Sequence, residues 1–242
     1  MEGQANIKHL PVDLVSINCV NPEESIKALK YSSKKLSFNN IYLFTDENIT
    51  FEYETIKIEK LRSIKEYNNF ILKLNDYINS DFVLIIQDDG HIVNPHLWDD
   101  NFLNYDYIGA PWPNNKKWRN RFSKLDKNIS SNLIKNFSFN QVGNGGFSLR
   151  SKKFLQYSSE FSDTMGLAED IFLCIYNYEK AINNGINFAP FKVAKNFSYE
   201  INLRKILKFS EVKNKKYNFN NHFGWHGKRF KNYEDLLNLK NL

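Results

Sequence analysis

Two hydrophobic periods alternate along this chain, and the alternation narrows its fold more than any other feature. VDLVSINCV (Val12–Val20) reads as a buried strand. Asn21, Pro22, Glu23 and Glu24 then supply an N-cap, a proline suited to the first helical turn, and two acids facing the positive end of a helix dipole. A helix to about Leu36 is expected. IYLFTD (Ile41–Asp46) and YETIKIE (Tyr53–Glu59) read as the next strands. Ser63 and Glu66 have the spacing of a capping box, and behind them Ile64, Tyr67, Ile71, Leu74 and Ile78 recur every three or four residues, one apolar helical face. FVLII (Phe82–Ile86) follows as a further strand. Strands alternating with helices in this way make an α/β layer structure.

Further along, NYDYIGAPW (Asn104–Trp112) reads as a strand ending in a turn, and GGFSLRS (Gly145–Ser151) as another strand. Asn114–Ser138 is polar, basic and poorly periodic, and is expected to be a long loop or small excursion. A helix is expected from Glu169 to about Asn184, with Gly185 as its C-cap. No linker, repeat or low-complexity tract divides the chain, so its 242 residues form one domain. No run approaches the roughly 18 apolar residues of a membrane span, and Asp13 interrupts the only apolar stretch near the N-terminus. The expected location is cytoplasmic. Cys19 and Cys174 lie in apolar runs without CxxC partners and read as buried free thiols. The net charge of +6 is concentrated between Lys192 and Lys216. A solvated basic face and an attractor of phosphorylated or membrane-bound anions both fit it. Nucleic acid is a poor fit, because no recognised motif accompanies the charge.

Four segments bear chemistry. The Phe82–Ile86 strand runs into Asp88 and Asp89. Two such charges about 4 Å apart repel by about 1 kcal/mol in water and about 4 at an effective dielectric of 20. A cation between them, or a solvent-facing turn, relieves this; Mg²⁺ and Mn²⁺ favour carboxylates in company with phosphate oxygens. In QVGNGGFSLRS, Gly143, Gly145 and Gly146 mark a backbone that bends sharply or makes room for a neighbour, without a Walker or full GxGxxG pattern. Glu169-Asp170 opens the later helix, as ordinary dipole-complementing acids or as a carboxylate able to take a proton from a hydroxyl. NHFGWHGKRF gathers His222, His226 and Lys228, a surface loop or a set able to complete a metal shell and neutralise phosphate. No GxSxG elbow or HExxH competes.

In their order, these segments resemble the GT-A fold of nucleotide-sugar-dependent glycosyltransferases. QDDG, YDYIGAPW, VGNGGFSLRS, ED and FGWHG look more closely like an uncharacterised, mainly microbial family regarded as GT-A-like, over about Val12 to Lys228. The resemblance implies a single Rossmann-like α/β domain with a central mixed, mostly parallel sheet flanked by helices. Within it, 1–11 is an N-terminal arm, 12–110 the nucleotide-sugar-binding half and 111–140 a loop excursion. The remainder, 141–242, is the acceptor-side half with a C-terminal metal and phosphate loop. It further implies transfer of a sugar from a nucleotide-sugar to a hydroxyl of a saccharide or glycoconjugate, dependent on Mn²⁺ or Mg²⁺ and inverting, in polysaccharide or glycoconjugate synthesis.

The family's acid motif falls on Gln87-Asp88-Asp89, with Gln87 where its first acid usually stands. Asp89 would bind the metal, with His226 as a late second ligand, and Asp88 would contact the donor ribose or sugar. Asp170 would be the general base, with Glu169 beside it on a sugar. Gly145 and Gly146 would border the donor, Lys228 would hold its diphosphate, and Asp46 would lie near the base. Trp112, Trp118 and Trp225 would offer rings for sugars to stack on. INLRKILKF (Ile201–Phe209) leaves open an amphipathic core helix or a peripheral contact with anionic membrane at its inner face. Two other classes stay in view: a non-catalytic nucleotide-sugar or glycan-binding module, and a metal-dependent phosphohydrolase.

Overall fold

The computed structural model describes residues 7–201 and 221–227. Its first half is a parallel wound sheet. β1 (Lys8–Leu10) leads to β2 (Asp13–Ile17), α1 (Pro22–Ser33), β3 (Leu36–Phe38), β4 (Ile41–Thr45) and β5 (Glu54–Lys57). Then come α2 (Ile64–Leu72), β6 (Phe82–Ile86), β7 (Gly90–Ile92) and β8 (Tyr107–Gly109). The second half contains α3 (Lys116–Phe122), α4 (Lys127–Asn136), β9 (Phe147–Ser151) and α5 (Lys152–Ser159). Next are α6 (Glu169–Ile171), α7 (Tyr178–Asn183), α8 (Phe191–Phe197), β10 (Ser198–Ile201) and β11 (Gly224–Gly227).

The main sheet has the order β5-β4-β2-β6-β9-β8. The pairs among β5, β4, β2 and β6 are parallel, whereas β9 runs antiparallel to both β6 and β8. The mixed, mostly parallel sheet that the resemblance implies is therefore present. Successive residues of β6 serve opposite layers: Val83 and Ile85 pack with Ile71, Leu74, Ile78 and Leu155, while Leu84 and Ile86 join the larger core with Leu29, Leu43 and Leu149. An apolar run without polar gaps is what a strand covered on both faces requires. A second sheet, β10-β11-β7, stands beyond the carboxyl end of β6. Its β11 pairs in parallel with β10 and antiparallel with β7, which matches His226 to Glu200 on one side and to Gly90 on the other.

Local signals explain most boundaries. Ser63 Oγ accepts the Glu66 amide at 3.2 Å and Glu66 reaches back to the Arg62 amide at 2.7 Å. The apolar face of this segment outlasts its helix: α2 stops at Leu72, and Leu74 and Ile78 continue the packing from a 3₁₀ turn and loop.

Two expectations change. The 111–140 loop excursion contains α3 and α4, whose N-termini are capped by Asn115 and Asp126. Their apolar residues are few but well placed, for Phe122, Leu133 and Phe137 are buried and Trp118 packs on them. The helix expected from Glu169 to about Asn184 is broken. A π-helical turn at Phe172–Tyr176 separates α6 from α7, with the Asn177 amide bonded to Phe172 O. Gly185 does follow α7 with φ of 72°. No described helix is long and apolar enough to cross a membrane.

Candidate active site

The strand order reverses between β2 and β6, and open α/β sheets hold ligands at such a crevice. A cleft of about 360 Å³ lies there, lined by Asn18, Cys19 and Val20 after β2, by Leu61–Ile64 and Tyr67, and by Gln87 and Asp88 after β6. Val20 and Ile64 are 88% and 71% exposed at its rim, two apolar side chains with no core to cover them. Their placement suits the flat face of a base or ring.

At the inner end of this cleft, β6 delivers Gln87, Asp88 and Asp89 into a turn closed by the Gly90 amide bonding to Gln87 O. Asp89 is buried, and its Oδ1 accepts from His226 Nε2 at 3.0 Å. Gln87 Oε1 accepts from the same nitrogen at 3.2 Å, while its amide group donates to the Tyr67 hydroxyl at 3.1 Å. Gln87 thus clamps His226 to α2. The other ring nitrogen, Nδ1, is buried without a hydrogen bond, 3.9 Å from Glu200 Oε1. Burial by itself would raise the Asp89 carboxyl and lower the His226 imidazole. Their hydrogen bond and mutual charge win in both cases: Asp89 is held below the ordinary range, helped by His91, and His226 above it, helped by Glu200 and Asp170.

The glycine segment joins this pair to the ED pair. A Cβ on Gly146 would lie 2.1 Å from His226 Nε2, and one on Gly145 only 1.8 Å from Glu169 Oε1. Both positions require glycine because a neighbour occupies the space. The Gly145 amide donates to Asp170 Oδ2 at 3.0 Å, and the Ile171 amide to Asp170 Oδ1 at 2.8 Å. Asp170 remains partly exposed. His226, with Asp89 bonded to it, and Asp170 therefore border one two-residue stretch of backbone.

Other expected site residues are placed differently. Glu169 is buried, with its oxygens 2.8 and 3.1 Å from Arg150 Nη2 and Nη1, so the sugar contact expected of it gives way to an internal ion pair. Burial pushes its carboxyl up, against the pull of Arg150. Trp112 and Trp225 are core residues rather than sugar platforms, and Trp118 packs against Trp112. The segment expected as a C-terminal loop is strand β11 as far as Gly227, and His222 bonds to Lys195 O away from His226's partners. Asp46 pairs with Lys60 at 3.3 Å at the end of β4, near the cleft without lining it. Lys228 and most of INLRKILKF lie outside the described residues. Cys19 and Cys174 are free and buried, as expected.

Three site residues went unmarked in the sequence reading. Arg150 sits in β9, every residue of which is buried, and an arginine there signals a buried anionic partner. Asn144, between two glycines, holds φ of 65° and has a buried carboxamide nitrogen without a partner. Glu200 reaches His226 only through the pairing of β10 with β11, which no local pattern announces.

Residues 50–222 match the family described as "Protein of unknown function (DUF5672)", more than half of the chain. The chain belongs to this family. No curated protein sequence matches it significantly. Among solved structures, it is similar to galactosyltransferase LgtC, determined with donor and acceptor sugar analogues, at a TM-score of 0.50 and 11% identity over 95% of each chain. It is similar also to apo mouse xyloside xylosyltransferase 1, at a TM-score of 0.50 and 11% identity over 91% of this chain and 99% of that one. At such identities the likeness is one of fold: this DUF5672 chain has the GT-A fold of those glycosyltransferases.

Proposed function

We propose that this protein is a glycosyltransferase that moves a sugar from a nucleotide-sugar to a hydroxyl of a saccharide or glycoconjugate. The observation that supports it most is the Gly145–Gly146 backbone, fitted between Asp170 on one side and the His226–Asp89 pair on the other, beside a nucleoside-sized cleft.

The residues suit a divalent cation. The Asp89 carboxylate and the His226 imidazole, 3.0 Å apart, are the groups that would hold it. Metal ligation through Nε2 would leave the imidazole proton on Nδ1, the buried nitrogen that now lacks a hydrogen bond and faces Glu200. Among the described residues no group of three or more His, Cys, Asp or Glu side chains could hold a metal ion by itself, so Asp89 and His226 would hold it together with the donor. When bound, Mn²⁺ or Mg²⁺ offsets the charge that develops on a diphosphate leaving group.

The chain's own residues supply the rest. The cleft holds the nucleoside, with Asp46 at its margin, Asp88 toward the ribose or sugar, and Gly145 and Gly146 along the sugar. Lys228 adds positive charge for the diphosphate. The acceptor oxygen bonds to the anomeric carbon as the bond from that carbon to the phosphate oxygen breaks. The nucleoside diphosphate leaves with the electron pair, and Asp170 takes the acceptor's proton. Attack opposite the leaving group inverts the anomeric centre. A polysaccharide or lipid-linked acceptor at the cytoplasmic face of a membrane fits this chemistry.

One observation favours a second reading. Gln87 stands where the resemblance places an acid, and a site with that amide could bind a nucleotide-sugar without turnover. A thermal-shift panel of nucleotide-sugars with and without Mn²⁺, on wild type and Asp89→Ala, tests both. Stabilisation lost in the variant, together with sugar transfer lost in Asp170→Asn, supports the transferase. Binding without transfer to any acceptor supports the module, and no shift with any donor rejects the site.

A further inference from the structure

The start of α6 bears an ion pair that the transfer chemistry does not use. Arg150, fully buried in β9, spends its guanidinium on fixed partners. Nη2 and Nη1 donate to Glu169 at 2.8 and 3.1 Å, Nε donates to Ser148 Oγ at 3.0 Å, and the group lies 5.2 Å from the Tyr107 ring centroid. Such a two-pronged contact sets the plane of the carboxylate as well as its distance. The surrounding backbone is shaped to admit it, because a Cβ on Gly145 would meet both Glu169 Oε1 and Arg150 Nη2. The next residue is Asp170, bonded to the amide of that same glycine.

The helical turn itself has little to hold it in place. α6 is three residues long, Ala168 offers it no side-chain cap, and the π-helical turn follows directly. An apolar pair at 150 and 169 would fill the same volume at no electrostatic cost, since buried ion pairs rarely add net stability. What the ion pair adds is direction. We propose that Arg150 is a positioning residue: through Glu169 it holds Asp170 against the Gly145 amide, where Asp170 meets the acceptor hydroxyl. The proposal rests on Asp170 being the base.

The test is the double variant Arg150→Met/Glu169→Met, which removes both charges and leaves neither buried alone. Hydrogen exchange at the Gly145 amide, followed by NMR, reports the position of Asp170 without any substrate. With the donor found in the panel, turnover and KM are measured alongside. The variant should unfold close to the wild-type midpoint, and its Gly145 amide should exchange about tenfold or more faster for want of a carboxylate acceptor. Turnover should fall about 100-fold, as for a misplaced base, with KM for the donor unchanged.

A folded double variant that keeps both its Gly145 protection and its turnover overturns the proposal. If this variant does not fold, Arg150→Lys keeps the charge but loses the two-pronged contact, and the same two readouts decide. Asp170→Asn separates the two levels of the argument. Loss of turnover there but not in the double variant defeats the positioning role alone, whereas full turnover in Asp170→Asn defeats the base assignment beneath it.

Discussion

Replacing Gly146 by alanine places a methyl group 2.1 Å from His226 Nε2 and 2.5 Å from its Cε1. The ring cannot swing away freely, because it is buried and held by Asp89 and Gln87. Overpacking a fixed site of this kind costs about 1–3 kcal/mol, which lowers Tm by roughly 2–12 °C in a chain of this size. Displacement of His226 also separates it from Asp89, so the Mn²⁺-dependent stabilisation by a nucleotide-sugar should vanish. Gly166→Ala is the control: it has a φ of 76° with open space around it, so it costs about 1 kcal/mol of backbone strain and leaves ligand binding intact. Urea denaturation and thermal shift measure both effects. A double-mutant cycle then isolates the contact, since Gly146→Ala should be nearly neutral in a His226→Ala background. Equal costs of Gly146→Ala in the two backgrounds would refute the reasoning, as would an unchanged ligand shift in the single variant.

Three further outcomes are expected. His91 is buried, its Nδ1 has no hydrogen-bond partner, its ring meets Tyr31, and burial lowers its pKa to about 4 despite nearby Asp89. The unfolded chain takes up that proton first, so stability falls by roughly 3 kcal/mol as pH drops from about 6.5 to about 4. His91→Phe should abolish that loss in pH-dependent urea titrations. His226 has the opposite sign, its stabilisation being lost as pH rises through its raised pKa, so equal slopes in wild type and His91→Phe would count against the buried neutral imidazole. Gln87→Leu should cost about 1–2 kcal/mol from its bonds to Tyr67 and His226 and weaken Mn²⁺-dependent donor binding; calorimetry showing unchanged affinity would remove Gln87 from the clamp. Asn144→Gly should gain up to about 1 kcal/mol by relieving the positive φ while slowing sugar transfer, and full activity would mean that its carboxamide meets no ligand.

Much of the architecture is legible residue by residue. β4 and β6 announce themselves because a strand covered on both faces is largely apolar, α1 by Pro22 and the acids of its first turn, and α2 by its capping box and period. The carboxyl-edge location of Asp89 follows from its position after β6. Elements whose stability comes from distant partners are not legible in this way. α3 and α4 look like loop because three or four aromatic and aliphatic contacts, spread over a broken period, are enough once Trp112 and Trp118 cover them. The π-helical turn leaves no local mark either.

The site divides along the same line. The sequence by itself determined which groups are available, namely the carboxylates Asp89 and Asp170, the imidazole of His226 and the glycines between them, since carboxylates and imidazoles are able to hold a cation or take a proton and only glycine leaves a ring its space. Only the tertiary structure decided which of them meet. It turned Glu169 inward to Arg150, paired β11 with β10 so that Glu200 faces the unbonded nitrogen of His226, and made Gln87 a clamp on that ring. These are contacts between residues 19 to 139 positions apart, set by strand register and packing, and no local stretch of sequence encodes a register.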